Sequence, residues 1–385
     1  MRCRLAESQK WCSMKEENLH NDNNLKRRGE VAMKKGKRIL AVLMAAVLLF
    51  TSCIFTGNSS AEAAVATPVS KHGRLSVKGA DLVDSKGNKF QLRGISTHGI
   101  NWDVGESYVN KKAFKTLRDE WGVNAVRLAM YTEEYNGYCS GGNQAKLRKL
   151  VDKGVSYAED LGMYAIIDWH ILSDGNPNKN KSQAKKFFAT MAKKYKKNKN
   201  VIYEICNEPN GCSWNEIKSY ATDIIKTIRK YDKKAVIIVG TPTWSQLGTD
   251  GTSNEVANHP IKGYKNIMYS LHFYASEWSH SEYLPAKVTY ARKKKLPILV
   301  SEFGLSEANG DGRIDKKSAD KWFKQLDKYN ISYFCWSLTN KDEAASLLKP
   351  STTKKSGWKS GDLTTAGKYI KKKYLARKKK LGKKA

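Results

Sequence analysis

The sequence of 385 residues predicts an α/β fold, a (β/α)8 TIM barrel with a small N-terminal β-hairpin. After residue 64, eight short apolar runs alternate with longer amphipathic, lysine-rich stretches. Strands that are apolar throughout and separated by helices indicate a parallel sheet covered by helices, and eight such units fit a closed barrel. A doubly wound open sheet is the competing architecture. No Gly-x-Gly-x-x-Gly follows the first strand and no P-loop is present, which favours the barrel.

The predicted strands are runs rich in β-branched and aromatic residues, and the predicted helices repeat apolar residues at three- and four-residue spacing. The strands are 90–96, 125–131, 164–169, 201–206, 235–239, 267–273, 298–301 and 332–337. The helices between them are 111–121, 146–161, 182–195, 214–231, 282–294 and 317–329, with a last helix within 362–374. In front of the first strand, Lys86-Gly87-Asn88 is a turn signal within residues 75–90. We expect a hairpin there that covers the bottom of the barrel.

The N-terminal segment has the features of a secretory signal peptide. Positions 34–38 carry four Lys or Arg, and the apolar run 39–50 is too short to span a bilayer comfortably. Ala61-Glu62-Ala63 then matches a cleavage pattern, and translation starts at either Met1 or Met33. We therefore divide the chain into an extension with signal peptide at 1–63, a catalytic barrel at 64–374 and a basic tail at 375–385. The protein is expected to be secreted and monomeric.

The formal net charge of +32 first raises nucleic acid as a partner. Lysine is instead spread along the predicted helices and concentrated at the end, where residues 368–385 carry ten Lys or Arg and no acid. No zinc-finger spacing, aromatic RNA-binding signature or helix-turn-helix pattern is present, so we expect no nucleic-acid partner. The tail is expected to solvate the C-terminus and to associate with an anionic cell wall. Four cysteines follow the signal peptide, and their disulfide state stays open: Cys139, Cys206, Cys212 and Cys335.

Polar and aromatic side chains crowd the C-terminal ends of the predicted strands, where TIM barrels hold catalytic groups. Glu208 follows the fourth strand and Glu302 follows the seventh, so the two carboxyls can face each other across the barrel mouth. Paired carboxyls that flank a cleft hydrolyse glycosides, one as a protonated acid and the other as an ionised nucleophile or base. Arg127 and Tyr274 are candidates to hold Glu302 ionised. Asn207 stands beside Glu208, where it can hydrogen-bond a sugar 2-hydroxyl.

Three histidines at strand ends, His98, His170 and His272, raise the alternative of a metal-dependent barrel. Such a barrel usually has paired histidines on its first strand, and none are present here. No Cys-x-x-Cys pair or Cys/His cluster is present either. We therefore expect no metal and no cofactor. The histidines are expected to position Glu302, Tyr274 and sugar hydroxyls.

The sequence motifs at these strand ends resemble those of glycoside hydrolase family 5, the cellulase-type (β/α)8 enzymes. They are most similar to the motifs of the secreted bacterial endo-β-1,4-glucanases of that family. The resemblance runs from about residue 77 to about residue 374. It is carried by Leu92-Arg93-Gly94-Ile95-Ser96-Thr97-His98-Gly99, Asp168-Trp169-His170, Tyr203-Glu204-Ile205-Cys206-Asn207-Glu208-Pro209-Asn210, Leu271-His272-Phe273-Tyr274 and Val300-Ser301-Glu302-Phe303-Gly304.

The resemblance implies a role for each matching residue. Glu208 matches the general acid/base and Glu302 the nucleophile of an enzyme that retains anomeric configuration, with carboxyls about 5–5.5 Å apart. The positions that match the supporting active-site residues are Arg127, His170, Asn207, His272 and Tyr274. The positions that match sugar-contacting residues are His98, Trp102, Tyr131, Trp244, Trp336, Lys341 and Glu343.

The resemblance implies a β-glucan substrate, such as cellulose or mixed-linkage glucan. Ser96-Thr97-His98-Gly99 and Asn340-Lys341-Asp342-Glu343 favour glucan over the related polysaccharides. Two alternatives stay open. The first is a β-mannanase or xyloglucanase on the same scaffold, and the second is a non-catalytic carbohydrate- or cell-wall-binding protein. The intact pair Glu208 and Glu302 argues against the second alternative.

Overall fold

Eight parallel strands close into a barrel in the computed structural model, which describes residues 66–382. Each strand pairs with the next one along the chain, and the last strand pairs with the first. The predicted barrel is confirmed. The predicted signal peptide, its predicted cleavage site and residues 383–385 lie outside the described residues. A two-stranded hairpin, β1 Ser76–Lys78 and β2 Asp81–Val83, precedes the barrel strands β3 Arg93–Thr97, β4 Ala125–Tyr131, β5 Tyr164–His170, β6 Val201–Glu204, β7 Ile237–Val239, β8 Ile267–Tyr274, β9 Ile298–Gly304 and β10 Tyr333–Leu338.

The ends of the observed strands differ from the predicted ends by a few residues. Strand β9 continues through Glu302 to Gly304, because its ladder with β8 pairs Glu302 with His272. Strand β6 ends at Glu204, before the predicted end at 206. Glu208 therefore lies in the loop that follows β6, whereas Glu302 is held within a strand.

Helices surround the barrel, as expected from the amphipathic stretches. Local chemistry sets several of their ends. The hydroxyl of Ser213 and the carboxylate of Glu216 cap each other at the start of one helix, and Gly122, with φ of 76°, ends another in the left-handed region. Among the described helices, none combines the length and apolar character needed to cross a bilayer. The helices are α1 Pro68–His72, α2 Asp103–Glu106, α3 Lys111–Trp121, α4 Gln144–Asp160, α5 Lys181–Tyr195, α6 Trp214–Arg229, α7 Pro242–Ser245, α8 Glu255–Asn258, α9 Trp278–Lys293, α10 Lys316–Lys328 and α11 Thr365–Gly382.

The hairpin covers the bottom of the barrel, as predicted. Its buried residues Leu75 and Leu82 pack in one apolar cluster with Phe90, Leu92 and residues from the N-terminal ends of the barrel strands. The turn between β1 and β2 is at Gly79-Ala80, whereas Lys86-Gly87-Asn88 forms a second turn that is closed by the single bridge Val83–Lys89. The hairpin therefore covers the bottom of the barrel and does not cover the opposite end, the mouth.

The last helix extends past the predicted end at residue 374 and continues to Gly382. The hydroxyl of Tyr374 donates a hydrogen bond to the carbonyl of Gly94 (2.8 Å). Arg377 Nε contacts Gln91 Oε1 (2.8 Å) and Asp327 Oδ1 (3.1 Å). The first part of the basic tail is therefore helical and is attached to the bottom of the barrel.

Candidate active site

Parallel register brings distant polar residues into one layer at the barrel mouth. Strand β5 pairs with β6 so that Asp168 lies beside Glu204, and β8 pairs with β9 so that His272 lies beside Glu302. Side chains at equivalent positions of parallel strands meet inside a TIM barrel. The mouth therefore holds a layer of titratable groups directly above the apolar interior.

Arg127, the third residue of β4, is the fully buried centre of this layer. Its Nε donates to Glu204 Oε2 (2.7 Å), Nη1 donates to Glu302 Oε2 (2.9 Å), and Nη2 contacts Asn207 Oδ1 (2.6 Å) and Asp168 Oδ2 (3.1 Å). The planar guanidinium can serve four acceptors at once because its five N–H groups form a rigid fork. Burial raises the pKa of Glu204, but the charge and hydrogen bond of Arg127 outweigh burial and lower that pKa to about 2.

Glu302 accepts two hydrogen bonds, one on each of its carboxyl oxygens. Arg127 donates to Oε2, and the hydroxyl of Tyr274 donates to Oε1 at 2.8 Å. Burial and the charge of Glu302 raise the pKa of Tyr274 well above its usual value, so this phenol stays a donor. Arg127 and Tyr274 therefore both contact Glu302, as expected from the sequence. These contacts fix the position of the Glu302 carboxyl at the mouth.

Glu208 is held by a different group. His272 Nδ1 donates to Glu208 Oε1 at 2.7 Å, and His272 Nε2 lies 2.9 Å from Ser301 Oγ and 3.9 Å from Glu204 Oε1. Burial lowers the pKa of His272, but the nearby carboxylates of Glu204, Glu208 and Glu302 outweigh burial and raise that pKa to about 9. The imidazole is therefore cationic at neutral pH. We expected the histidines to position Glu302 and Tyr274, and that expectation is wrong for His272, which positions Glu208.

The two carboxyls lie close together. One oxygen of Glu208, one oxygen of Glu302 and a ring nitrogen of His272 all lie within 4.8 Å of one another. Retaining glycosidases have carboxyls about 5–5.5 Å apart, whereas inverting enzymes need about 6.5–9.5 Å to admit a water molecule. The separation fits direct attack by a carboxylate on the sugar.

His170 and Asn207 brace this arrangement. His170 Nδ1 donates to Asp168 Oδ2 (2.6 Å), so Nε2 is free to accept from the amide of Asn207 (3.2 Å). Burial and the charge of Arg127 lower the pKa of His170 to about 3, so this imidazole is neutral. The amide protons of Asn207 are directed to His170 and to the carbonyl of Ile171 (3.1 Å), and its oxygen accepts from Arg127. Asn207 therefore makes hydrogen bonds to three protein groups in this structure, whereas the sequence led us to expect a hydrogen bond to a sugar 2-hydroxyl.

Aromatic rings line one side of the mouth in a continuous surface. The ring centroids of Trp102 and Tyr131 are 4.7 Å apart, those of Tyr131 and His170 are 4.1 Å apart, and His170 stacks on Trp336 at 5.3 Å. His98 completes the surface, with its centroid 5.3 Å from that of Trp336. Flat apolar faces of this kind suit the C–H faces of pyranose rings. The structure thus brings together His98, Trp102, Tyr131 and Trp336, four of the residues that the resemblance assigned to sugar contact.

Lys341 and Glu343 lie at the edge of the same surface. Lys341 Nζ pairs with Glu343 Oε2 at 2.5 Å, and Glu343 Oε1 lies 3.9 Å from His98 Nε2. Burial and the charge of Lys341 lower the pKa of His98 to about 3. A neutral imidazole and an adjacent ion pair offer both donors and acceptors to sugar hydroxyls.

Trp244 lies apart from the other aromatic residues, in the segment after β7. Thr243, Trp244 and Ser245 all have left-handed backbones, with φ of 56°, 50° and 61°. Non-glycine residues pay about 1–2 kcal/mol each for this conformation. Hydrogen bonds to the loop of Glu208 hold it in place: Trp244 N–H donates to the carbonyl of Pro209 (3.1 Å) and Ser245 Oγ to that of Asn207 (2.7 Å). Strain that persists beside a site is a mark of function.

Residues 83–342 match the family model described as cellulase (glycosyl hydrolase family 5). The chain belongs to glycosyl hydrolase family 5. It is 45% identical over 338 residues to an endoglucanase of Clostridium saccharobutylicum, covering 87% of this chain and 72% of the relative. It is 44% identical over 303 residues to endoglucanase A of Butyrivibrio fibrisolvens, covering 78% of this chain and 68% of that relative.

Solved structures agree with the family 5 assignment. The catalytic domain of Thermobifida fusca endoglucanase Cel5A superposes with a TM-score of 0.74 at 36% identity, covering 80% of this chain and 99% of that domain. A variant of the same domain, in complex with cellotetraose, gives a TM-score of 0.73 at 35% identity, with 80% and 99% coverage. The protein is thus a glycoside hydrolase, and the fold predicted from its strand pattern is that of its family 5 relatives.

Sequence reasoning missed three members of the site. Asp168 and Glu204 complete the acceptors around Arg127, and Ser301 joins His272 to Ser270 through a short hydroxyl–hydroxyl contact. A signal was present for all three, since each lies in a segment that carried the resemblance. The roles of Asp168 and Glu204 could not be assigned because their partner, Arg127, is far away along the chain.

Proposed function

We propose that this protein is a retaining endo-β-1,4-glucanase that cleaves internal bonds of cellulose or mixed-linkage β-glucan. The observation that carries the proposal is the close pairing of Glu208 with Glu302 in a mouth lined by aromatic rings. The curated relatives named endoglucanases support the substrate class, and a complex with cellotetraose supports it for a structural relative. We also propose that the enzyme acts as a monomer, because the paired carboxyls and the residues that support them belong to a single chain.

In the first step, a carboxylate oxygen of Glu302 attacks the anomeric carbon. The bond from that carbon to the glycosidic oxygen breaks, and Glu208 gives its proton to the leaving oxygen. The product is a covalent glycosyl ester of Glu302 together with a released chain that carries a new 4-hydroxyl group. Arg127 and Tyr274 keep the attacking carboxylate fixed before the bond forms, which supplies the orientation that this step requires.

In the second step, Glu208 acts as a base. It takes a proton from water, and the resulting hydroxide displaces Glu302 from the anomeric carbon, which restores both carboxyls. Two inversions at one carbon give net retention. His272 holds one oxygen of Glu208, and among residues 66–382 the other oxygen has no hydrogen-bond partner, so it is left to exchange protons with the substrate and water.

The substrate is tested by release of reducing sugar from carboxymethylcellulose, mixed-linkage β-glucan, galactomannan and xyloglucan. We expect turnover on the first two, and a loss of about 10²–10⁴-fold in Glu208→Ala because proton transfer to the leaving group is removed. Glu159→Ala, an exposed substitution on α4, serves as the control that keeps wild-type activity. Activity confined to galactomannan or xyloglucan would replace the substrate. Inactivity of a folded protein on all four polymers would favour a carbohydrate-binding protein.

We further propose that the protein is secreted and retained at an anionic cell wall by its basic C-terminus. The ten Lys or Arg of residues 368–385 and the basic, apolar N-terminal pattern support this proposal. Because attraction between exposed charges is screened by salt, retention on isolated walls should fall as ionic strength rises. Truncation after residue 377, which keeps the anchoring Arg377, should weaken retention at low salt. Equal retention of the truncated and full-length proteins would contradict the proposal.

A further inference from the structure

Exposed aromatic side chains are concentrated at the mouth of the barrel. Single exposed apolar residues need no explanation, but apolar patches mark binding surfaces. Among residues 66–382, six large apolar side chains are the most exposed, and five of these follow the C-terminal end of a barrel strand. The five are Tyr135, Leu172, Trp244, Trp278 and Tyr283, and the sixth is Tyr231, which precedes β7 at the opposite end.

The catalytic carboxyls divide the mouth into two arcs. Glu208 follows β6 and Glu302 lies in β9, so β7 and β8 form one arc, and β10, β3, β4 and β5 form the other. A scissile bond that is flanked by both carboxyls requires a sugar chain that crosses between the arcs. The long arc carries the aromatic surface around Trp336. The short arc carries Trp244, Trp278 and Tyr283.

Helix α9 holds the aromatic residues of the short arc as one unit. The ring of Tyr283 lies edge-on to that of Trp278, with centroids 5.8 Å apart. Tyr283 also lies against Gly251, where an added Cβ would come within 2.9 Å of its ring. The buried side chain of Lys287, one turn further along α9, donates to the carbonyls of Gln246 (3.1 Å) and Asp250. Helix α9 therefore packs against the loop that carries Trp244 and forms hydrogen bonds with its carbonyls.

The start of α9 is itself fixed to the catalytic layer. The N–H of Glu277 donates to the carbonyl of Tyr274 (3.1 Å), and the N–H of Tyr274 donates to His280 Nδ1 (2.9 Å). Ser276 N–H donates to the carbonyl of Ser306 (3.1 Å), in the segment after β9. Trp278 is nevertheless 68% exposed. An indole that is exposed on a rigid support needs no ordering when a ligand binds, which lowers the cost of binding.

We propose that Trp278 and Tyr283 form an outer subsite that binds the glucan chain beyond Trp244 and makes the enzyme favour long chains. The inference rests on the proposed glucanase function and deepens it. The indole of Trp278 offers a flat face to the C–H face of a pyranose ring. The neighbouring Glu277 carboxylate and Ser279 hydroxyl, 3.5 Å apart, offer hydrogen-bond partners to sugar hydroxyls. Short chains that fill only the centre of the cleft do not reach this subsite.

The test compares kcat/KM for cellohexaose and cellotriose in wild type, Trp278→Ala and Trp278→Phe. We expect the ratio of the two constants to fall about tenfold in Trp278→Ala, the typical effect of truncating a buried aromatic contact. Trp278→Phe keeps an aromatic face and should restore most of the ratio. Tyr231→Ala, which removes an exposed aromatic residue from the opposite end, should leave the ratio at its wild-type value.

The outcomes separate this inference from the function on which it rests. A wild-type enzyme that favours cellohexaose, together with a Trp278→Ala variant that keeps the full preference, would overturn the outer subsite alone. A proportional loss on both oligosaccharides would overturn it too, because damage to the catalytic centre affects short and long chains equally. A folded wild-type protein that cleaves neither oligosaccharide nor any β-glucan would overturn the glucanase function and the subsite together.

Discussion

Replacement of Glu302 by glutamine is expected to lower kcat on carboxymethylcellulose by about 10⁴-fold or more, the scale seen when a catalytic nucleophile is removed. The amide has almost the volume of the carboxyl, but its oxygen cannot form the glycosyl ester. The fold should persist, because Arg127 keeps its contacts with Asp168 and Glu204. Initial rates with purified variants give the measurement, and thermal unfolding confirms that Glu302→Gln is folded.

The matched control is Glu307→Gln, which makes the same chemical change at an exposed position shortly after the same strand. We expect Glu307→Gln to have wild-type activity. Activity of Glu302→Gln within about tenfold of wild type would exclude the nucleophile role, because no other group in the site could replace the lost oxygen so efficiently. Glu208 would then require a different partner.

The barrel could be predicted because its strands are buried on both faces. Such strands are continuous apolar runs, so each one can be recognised from its own residues without knowing which strands it pairs with. The placement of Glu208 and Glu302 was predicted for a related reason. A carboxyl in or shortly after the C-terminal end of an apolar barrel strand lies near the mouth, so position along the chain indicates position in space for both residues.

Features that depend on pairing between distant residues were predicted only in part. Arg127 was expected beside Glu302, 175 positions away, but its pairing with Glu204, 77 positions away, was not expected. The pattern around each residue does not show which acid a guanidinium will reach. The role of His272 was misassigned for the same reason: register places it beside Glu302, yet its ring nitrogen reaches Glu208.

The helical start of the basic tail and the left-handed turn at Trp244 were also absent from the prediction. The tail has the composition of a solvated segment, but Arg377 gains partners at Gln91 and Asp327 only once the barrel has closed. The turn at Trp244 contains no glycine between residues 241 and 247. Its conformation is imposed by hydrogen bonds to the loop of Glu208 rather than by local preference.

Arg127→Met is expected to lower the free energy of unfolding by about 3–5 kcal/mol and to abolish activity. Methionine can fill much of the space, but three carboxyls, Asp168, Glu204 and Glu302, lose the guanidinium that they share. Buried charges without a counter-ion cost far more than an ion pair contributes. Urea unfolding at pH 7 measures the loss.

Arg93→Met is the matched control, since Arg93 is also buried but its hydrogen bonds go only to the carbonyls of Gly122 (3.4 Å) and Gln91 (3.5 Å). A buried arginine without a carboxylate contact leaves no stranded acid when it is replaced, so we expect a smaller loss of stability. A loss at Arg93 equal to that at Arg127 would show that volume, and not charge, governs both sites.

The pH dependence separates the charge explanation from a packing defect. In Arg127→Met, the stranded carboxyls can stay buried without a charge only by binding protons, so the folded variant takes up protons that the unfolded chain releases. The stability of the variant relative to wild type should therefore rise as pH falls from 7 towards the ordinary carboxyl range near 4. A cavity left by a poorly fitting methionine has no such dependence. If the difference in stability between Arg127→Met and wild type stays constant between pH 7 and pH 4.5, the loss is due to packing. Arg127 would then not act as the counter-ion of the buried carboxyls at the mouth.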